Sequence, residues 1–93
     1  MSIEWDPAKD AANRLKHRVA FAEAAAVFLD PSAVTYEDPD HSSDEDRFLI
    51  LGYSLRERIL VVSYTYRGER IRIISARPAM PRERRAYEEG TAR

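Results

Sequence analysis

The residues in this sequence best suited to chemistry are its arginines. Arg47, Arg58, Arg70, Arg72 and Arg77 recur through the second half of the chain, with Tyr64 and Tyr66 among them. A guanidinium is a planar fork that grips a phosphate through two hydrogen bonds and stacks on bases, which a lysine cannot do. Residues 1–46 carry 4 Lys/Arg against 11 Asp/Glu, and residues 47–93 carry 11 Arg and no Lys against 5 Asp/Glu, so the net charge of -1 conceals −7 and +6. The basic part points to a polyanionic partner, with an ordinary solvated surface as the plainer alternative. Arg77 ends an expected strand just before Pro78, where its side chain can reach over a sheet, and is the first candidate for a phosphate clamp. Arg70 and Arg72 share one strand face while Ile71 and Ile73 take the other. Arg77 has the opposite parity and joins them only if a bulge or the strand's end re-aims it. Tyr64 and Tyr66 are candidate stacking surfaces for bases, or else core aromatics.

Other chemistries find less support. With no cysteine, a disulfide framework, a thiolate metal site and a thiol nucleophile are all excluded, and a reducing cytoplasm is the simplest home. Asp38, Asp40, His41, Asp44, Glu45 and Asp46 could offer oxygens and an imidazole to a divalent ion, but their spacing is not that of an EF-hand, and a solvated acidic loop is the expectation. Neither a Gly-rich phosphate loop nor a nucleophile elbow occurs, which argues against a small enzyme unrelated to nucleic acid. No cofactor is implied.

These groups must be positioned by one small domain. A chain of 93 residues has room for a single core, and 44% hydrophobic with 33% charged residues suits a globular protein. The N-terminus lacks a basic region followed by an apolar run, and no membrane-length apolar stretch occurs. Ile3-Glu4-Trp5 alternates like a short strand. Asp6-Pro7 reads as an N-cap with proline at the first helical position, opening a helix to about Lys16 whose Ala8, Ala11, Ala12 and Leu15 share a face. Phe21, Ala24, Ala25, Phe28 and Leu29 mark a second amphipathic helix, stopped by Asp30-Pro31. Val34-Thr35-Tyr36, Arg47 to Ser54, Ile59 to Tyr66 and Glu69 to Ala76 read as strands, the last three forming an antiparallel meander. Pro81 to Glu89, closed by Gly90, completes the chain as an arginine-rich helix.

The words of the sequence resemble the BrnT toxin family. Glu4-Trp5-Asp6-Pro7 with Lys9 and Asn13, then Lys16-His17 followed by Val19 and Phe21 to Ala24, is similar to the family's opening. Arg47 to Gly52 resembles its centre, and Ile71 to Ala79 with Glu83-Arg84 and Tyr87 its end. The family usually has glycine where this chain has Arg18. The resemblance covers nearly the whole chain. It implies an α+β, RelE-like fold over residues 1–93, in which two N-terminal helices pack on an antiparallel sheet with a short C-terminal helix.

The same resemblance implies the toxin of a type II toxin-antitoxin pair. Such a protein is a metal-independent endoribonuclease that cleaves messenger RNA and inhibits translation. Its partner would be a BrnA-like ribbon-helix-helix antitoxin, forming a heterotetramer on operator DNA. The alternative is a non-catalytic partner that only seats the antitoxin and co-represses the operon. Cleavage without metal lets the ribose 2′-hydroxyl attack its own phosphate, so the protein needs a base, an acid and cations for the developing charge. Arg77 and Arg47 are then the expected clamps. Tyr87, by analogy with the C-terminal tyrosine of RelE-like nucleases, and His17, the one group in a family block that titrates near neutral pH, are further catalytic candidates. Lys16, Arg58, Arg70 and Arg72 are candidate RNA contacts.

Overall fold

The computed structural model describes residues 1–38 and 46–90. The elements run β1 (Ser2–Glu4), α1 (Pro7–His17), α2 (Phe21–Ala24), a 3₁₀ segment (Ala25–Leu29), β2 (Val34–Glu37), β3 (Phe48–Tyr53), β4 (Ile59–Arg67), β5 (Arg70–Pro78) and α3 (Pro81–Glu89). The strands form one sheet in the order β1-β5-β4-β3-β2. The meander is antiparallel throughout, but β1 joins the edge of β5 in parallel, placing Ile3 beside Ile71 and Glu4 beside Arg72. The sheet is therefore mixed rather than antiparallel. Nothing in a three-residue strand marks its partner or direction.

The two sheet faces carry separate apolar clusters. On one, Phe21, Ala24 and Val27 meet Ile50, Leu60, Val62, Tyr64, Ile71, Ile73 and Ala76, roofed by α2 and the 3₁₀ segment. On the other, Leu51, Ile59, Val61 and Ala79 form a smaller cluster against Tyr36, Leu49 and Tyr87 of α3. Beyond this small patch the second face has no helix of the described residues upon it, and this is where chemistry has room.

Two helical expectations are corrected. The second helix keeps α geometry only to Ala24; the tighter 3₁₀ turn that follows buries Val27 and leaves Leu29 76% exposed. Gly52 permits that approach, since a Cβ there would stand 2.9 Å from Val27 Cγ1 and 3.1 Å from the Asp30 carboxylate. In α1 the stripe Ala8, Ala11, Ala12 and Leu15 faces solvent, and the buried residue is Asn13. Polar anchors dock this helix. Asp10 accepts from Phe21 N–H at 2.9 Å. The Asn13 amide donates to the carbonyls of Val19 (2.9 Å) and Ala76 (2.8 Å) and accepts from Ala76 N–H at 3.1 Å. Strand β1 pairs with β5 only as far as Arg72, so Asn13 completes the sheet edge that β1 leaves bare. Asn13→Ala would strand these buried backbone groups, and a loss of about 3 kcal/mol is expected. Urea unfolding reads it as a lowered midpoint at unchanged slope; a loss under about 0.5 kcal/mol would mean water replaces the amide.

Helix α1 ends on Arg18, which takes the left-handed conformation (φ 61°) with its N–H on Arg14 O at 3.0 Å. A side chain in this conformation costs about 1 kcal/mol relative to glycine. Arg18→Gly is expected to raise the melting temperature by roughly 4–8 °C. No rise in calorimetry would show that the Arg18 side chain offsets its own strain.

Candidate active site

A bulge in β5 decides which arginines meet. Tyr64 pairs with Ile73 but Ser63 pairs with Ser75, so Ile74 has no opposite number and the parity of β5 inverts there. Arg77 thereby shares a face with Arg70 and Arg72, as the register of Val61, Thr65 and Arg67 opposite them shows. The condition posed by strand parity is met. The face is the one away from α2.

On it lies a cleft of 220 Å³ lined by Asp38, Arg47, Leu49, Val61, Ser63, Ile74, Ser75 and Arg77. Arg47 also borders a smaller recess of 80 Å³ with Glu37, Asp38 and Asp46. The chain is brought back to this point by the backbone bond from Asp38 N–H to Arg47 O (3.0 Å) and by Thr65 Oγ1 donating to Asp46 O (2.6 Å). Residues 39–45, which hold Asp40, His41, Asp44 and Glu45 of the rival metal reading, lie outside the described residues. Among the described residues no cluster of three or more His, Asp or Glu could hold a metal ion.

Arg77 is held in place by α3. Its Nη1 and Nη2 donate to Glu83 Oε1 and Oε2, both at 2.8 Å, a two-pronged pair. Glu83 Oε1 also accepts from Met80 N–H at 2.8 Å, tying the pair to the helix start. The Arg77 guanidinium holds the Glu83 carboxyl below its usual range, against the opposing effect of burial. Tyr36 of β2 lies near enough that both charges act on it; burial first and then Glu83 push its hydroxyl upward. Sequence reasoning did not single out Tyr36, since alternation in β2 marks it only as half-buried. Glu83 appeared there only among the residues that resemble the family's closing block.

Tyr87 is on the same helix, but its hydroxyl donates to Asp30 Oδ2 at 2.7 Å and its ring meets Tyr53 edge-on at 5.4 Å. Burial and this bond push the hydroxyl up to about 12. Asp30 also accepts from Tyr53 N–H and Ser32 N–H, and these bonds outweigh burial to lower its pKa. Asp30 thus fastens α3 to the body, a role invisible where Asp30-Pro31 reads only as a helix stop.

The remaining candidates lie apart. Arg70 and Arg72 are on the cleft's face at the β1 edge, paired to Glu4 at 3.2 and 2.8 Å. Arg58 grips Glu23 through Nε and Nη2, both at 2.8 Å, and donates to Arg18 O at 2.8 Å. Its guanidinium, with burial opposing and Ser54 Oγ donating at 2.6 Å, lowers the pKa of that buried carboxylate. Lys16 and His17 end α1, whose Asn13 grips the outer edge of β5, and neither lines the cleft. Tyr64 is a core residue against Phe28 (5.0 Å) and Phe48 (5.6 Å), as the second of its two readings had it, and Tyr66 shares its face; both point away from the arginines, so neither offers a stacking surface beside them.

Four carboxylates, Glu4, Glu23, Asp30 and Glu83, are lowered on folding. A depressed folded pKa gives stability that is present above the unfolded value of about 4 and lost as pH falls through the folded values. The melting temperature is expected to hold near neutrality and to drop below about pH 4. A flat profile to pH 2 would mean these pairs add nothing.

The sheet, its roof and this cleft define a small α+β domain with a hollow on one face where Arg47 and Arg77 meet carboxylates. The sequence model of the family described as "Ribonuclease toxin, BrnT, of type II toxin-antitoxin system" matches residues 5–83, and the chain belongs to that family. Among solved structures it is similar to the Brucella abortus ribonuclease toxin BrnT, with 29% identity, a TM-score of 0.67, and 86% of this chain and 97% of that one covered. None of the curated proteins compared matches it. Family membership gives the chain a toxin's part in a type II system, with RNA as target and an antitoxin as partner. No helix of the described residues is long and apolar enough to cross a membrane.

Proposed function

We propose that this chain is a metal-independent endoribonuclease of RelE-like fold that cleaves messenger RNA in the cytoplasm and is neutralised by a BrnA-like ribbon-helix-helix antitoxin, the two binding operator DNA as a heterotetramer. The observation that carries the catalytic part is the convergence of Arg47 and Arg77 on one cleft with Glu83 clasped to Arg77. A scissile phosphate entering the cleft competes with Glu83 for the Arg77 fork. The displaced carboxylate is then beside the substrate and regains basicity, because the cation that depressed its pKa now serves the phosphate.

Glu83 takes the proton of the ribose 2′-hydroxyl as the 2′-oxygen bonds to phosphorus. The bond from phosphorus to the 5′-oxygen breaks, and that oxygen takes a proton from the neighbouring Tyr36 hydroxyl. The products are a 2′,3′-cyclic phosphate and a 5′-hydroxyl. Arg47 and Arg77 stabilise the charge on the phosphate oxygens, and Arg70 and Arg72 extend the cationic face along the strand. Tyr87 serves by holding α3, and His17, Lys16 and Arg58 have no part in cleavage.

The test is cleavage of a labelled RNA by the purified chain in excess chelator, beside the same sequence as DNA, with analysis of the ends. Cyclic phosphate ends from RNA and no cutting of DNA are expected. Cutting that requires added metal, or that proceeds on DNA, would sink the 2′-hydroxyl scheme. No cutting under any condition would shift the function to the non-catalytic seating of an antitoxin.

A further inference from the structure

The outer surface of α1 has no role in the fold. Its inward face is polar and fully used by Asp10 and Asn13, while Ala8, Ala11, Ala12 and Leu15 face solvent, Leu15 at 85% exposure. Single exposed leucines are ordinary. What sets this one apart is its neighbourhood. Arg14, on the same side of the helix as Ala11 and Leu15 by its spacing, and Arg18 at the helix's end line a groove of 610 Å³ with Arg56, Arg58, Glu23 and Leu55. Leu55 is itself 74% exposed. The one carboxylate, Glu23, is engaged by Arg58 and Ser54, so the groove presents an excess of guanidinium groups beside apolar surface.

Backbone strain gathers here as well. The non-glycine residues with positive φ among the described ones are Arg18 (φ 61°) and Glu57 (φ 62°), and they sit on the two loops that frame this groove. No aromatic side chain lines the groove, so bases would find nothing to stack on. Alanines at helical spacing let a second helix approach closely, and two exposed leucines flanked by arginines call for apolar side chains bordered by carboxylates.

We infer that the outer face of α1 and the adjoining arginine groove form the docking surface for an acidic amphipathic helix of the partner protein. The identification of that partner as the antitoxin rests on the toxin reading above. The surface lies across the sheet from the Arg47–Arg77 cleft, so anchoring here and covering the cleft are separate acts, and the first is measurable without the second.

The probe is a synthetic peptide of about 20 residues with leucine at i, i+3, i+4 and i+7 and glutamate elsewhere, titrated into isotope-labelled full-length chain. Amide shifts are expected at Ala11, Leu15, Arg18, Leu55 and Arg56. Leu15→Ser and the pair Arg14→Glu with Arg56→Glu should each weaken binding at least about tenfold, at unchanged melting temperature and unchanged RNA cleavage. Shifts confined to the Arg47–Arg77 face, displacement of the peptide by a short single-stranded RNA, or dimerisation of the chain through this face in sedimentation would each overturn the inference. Docking by a chain that cuts no RNA would overturn the ribonuclease reading and leave this one standing; cutting without docking would do the reverse.

Discussion

Replacing Arg77 by alanine is expected to slow RNA cleavage about 10²–10³-fold, the usual cost of removing a donor aimed at developing charge in a shielded site. Its fork is already in two-pronged geometry on Glu83, so a phosphate meets a side chain whose rotamer is fixed. Arg77→Lys keeps the charge but loses the fork, and should recover only part of the rate. Binding of uncleavable RNA should weaken much less than cleavage, because Arg47, Arg70 and Arg72 remain on the same face. Single-turnover kinetics beside a filter-binding titration separates the two. Equal losses in both would make Arg77 a general electrostatic contact and remove it from the chemical step.

The second large effect is expected for Glu83→Gln. Loss of a general base costs about 10²–10⁴-fold in rate, whereas the amide can still accept from Met80 N–H and keep α3 started. RNA binding should be unchanged or tighter, since a carboxylate that competes for Arg77 is gone. The pH profile carries the sharper test. In the free protein Glu83 is held below the ordinary carboxylate range, so the acid limb of kcat/KM lies low. In the complex the phosphate occupies Arg77, and the limb on kcat moves to higher pH. Glu83→Gln should lack this limb altogether. A variant that cuts at the wild-type rate would place the base elsewhere and reduce Glu83 to a positioning residue for Arg77.

Much of the fold was legible because local signals are strong where they exist. Asp6-Pro7 opened α1 where expected, Pro81 and Gly90 bounded α3, and the β-branched runs gave the meander. The failures share a cause. The stripe Ala8, Ala11, Ala12 and Leu15 had helical spacing, but alanine buries little area, and two hydrogen bonds between Asn13 and the bare sheet edge at Ala76, with a third to the Val19 carbonyl, outweighed it. Asp30 and Glu83 carried no periodic mark, and Tyr36 only the half-buried alternation of β2, because their importance comes from partners distant in sequence.

The sequence by itself determined the composition of the site: a basic second half built on arginine, no thiol, strands with apolar and arginine faces, and the blocks that mark the family. Those properties are local or additive, and they survive without a fold. Only the tertiary structure decided which arginines act together. One extra residue, Ile74, inverts strand parity and turns Arg77 to the face of Arg70 and Arg72. The return of the chain at Asp38 and Asp46 brings Arg47 to the same cleft, while the ion pair with Glu23 commits Arg58 to the framework. Bulges and long-range pairings are set by the sum of packing across the sheet, so no window of sequence contains them.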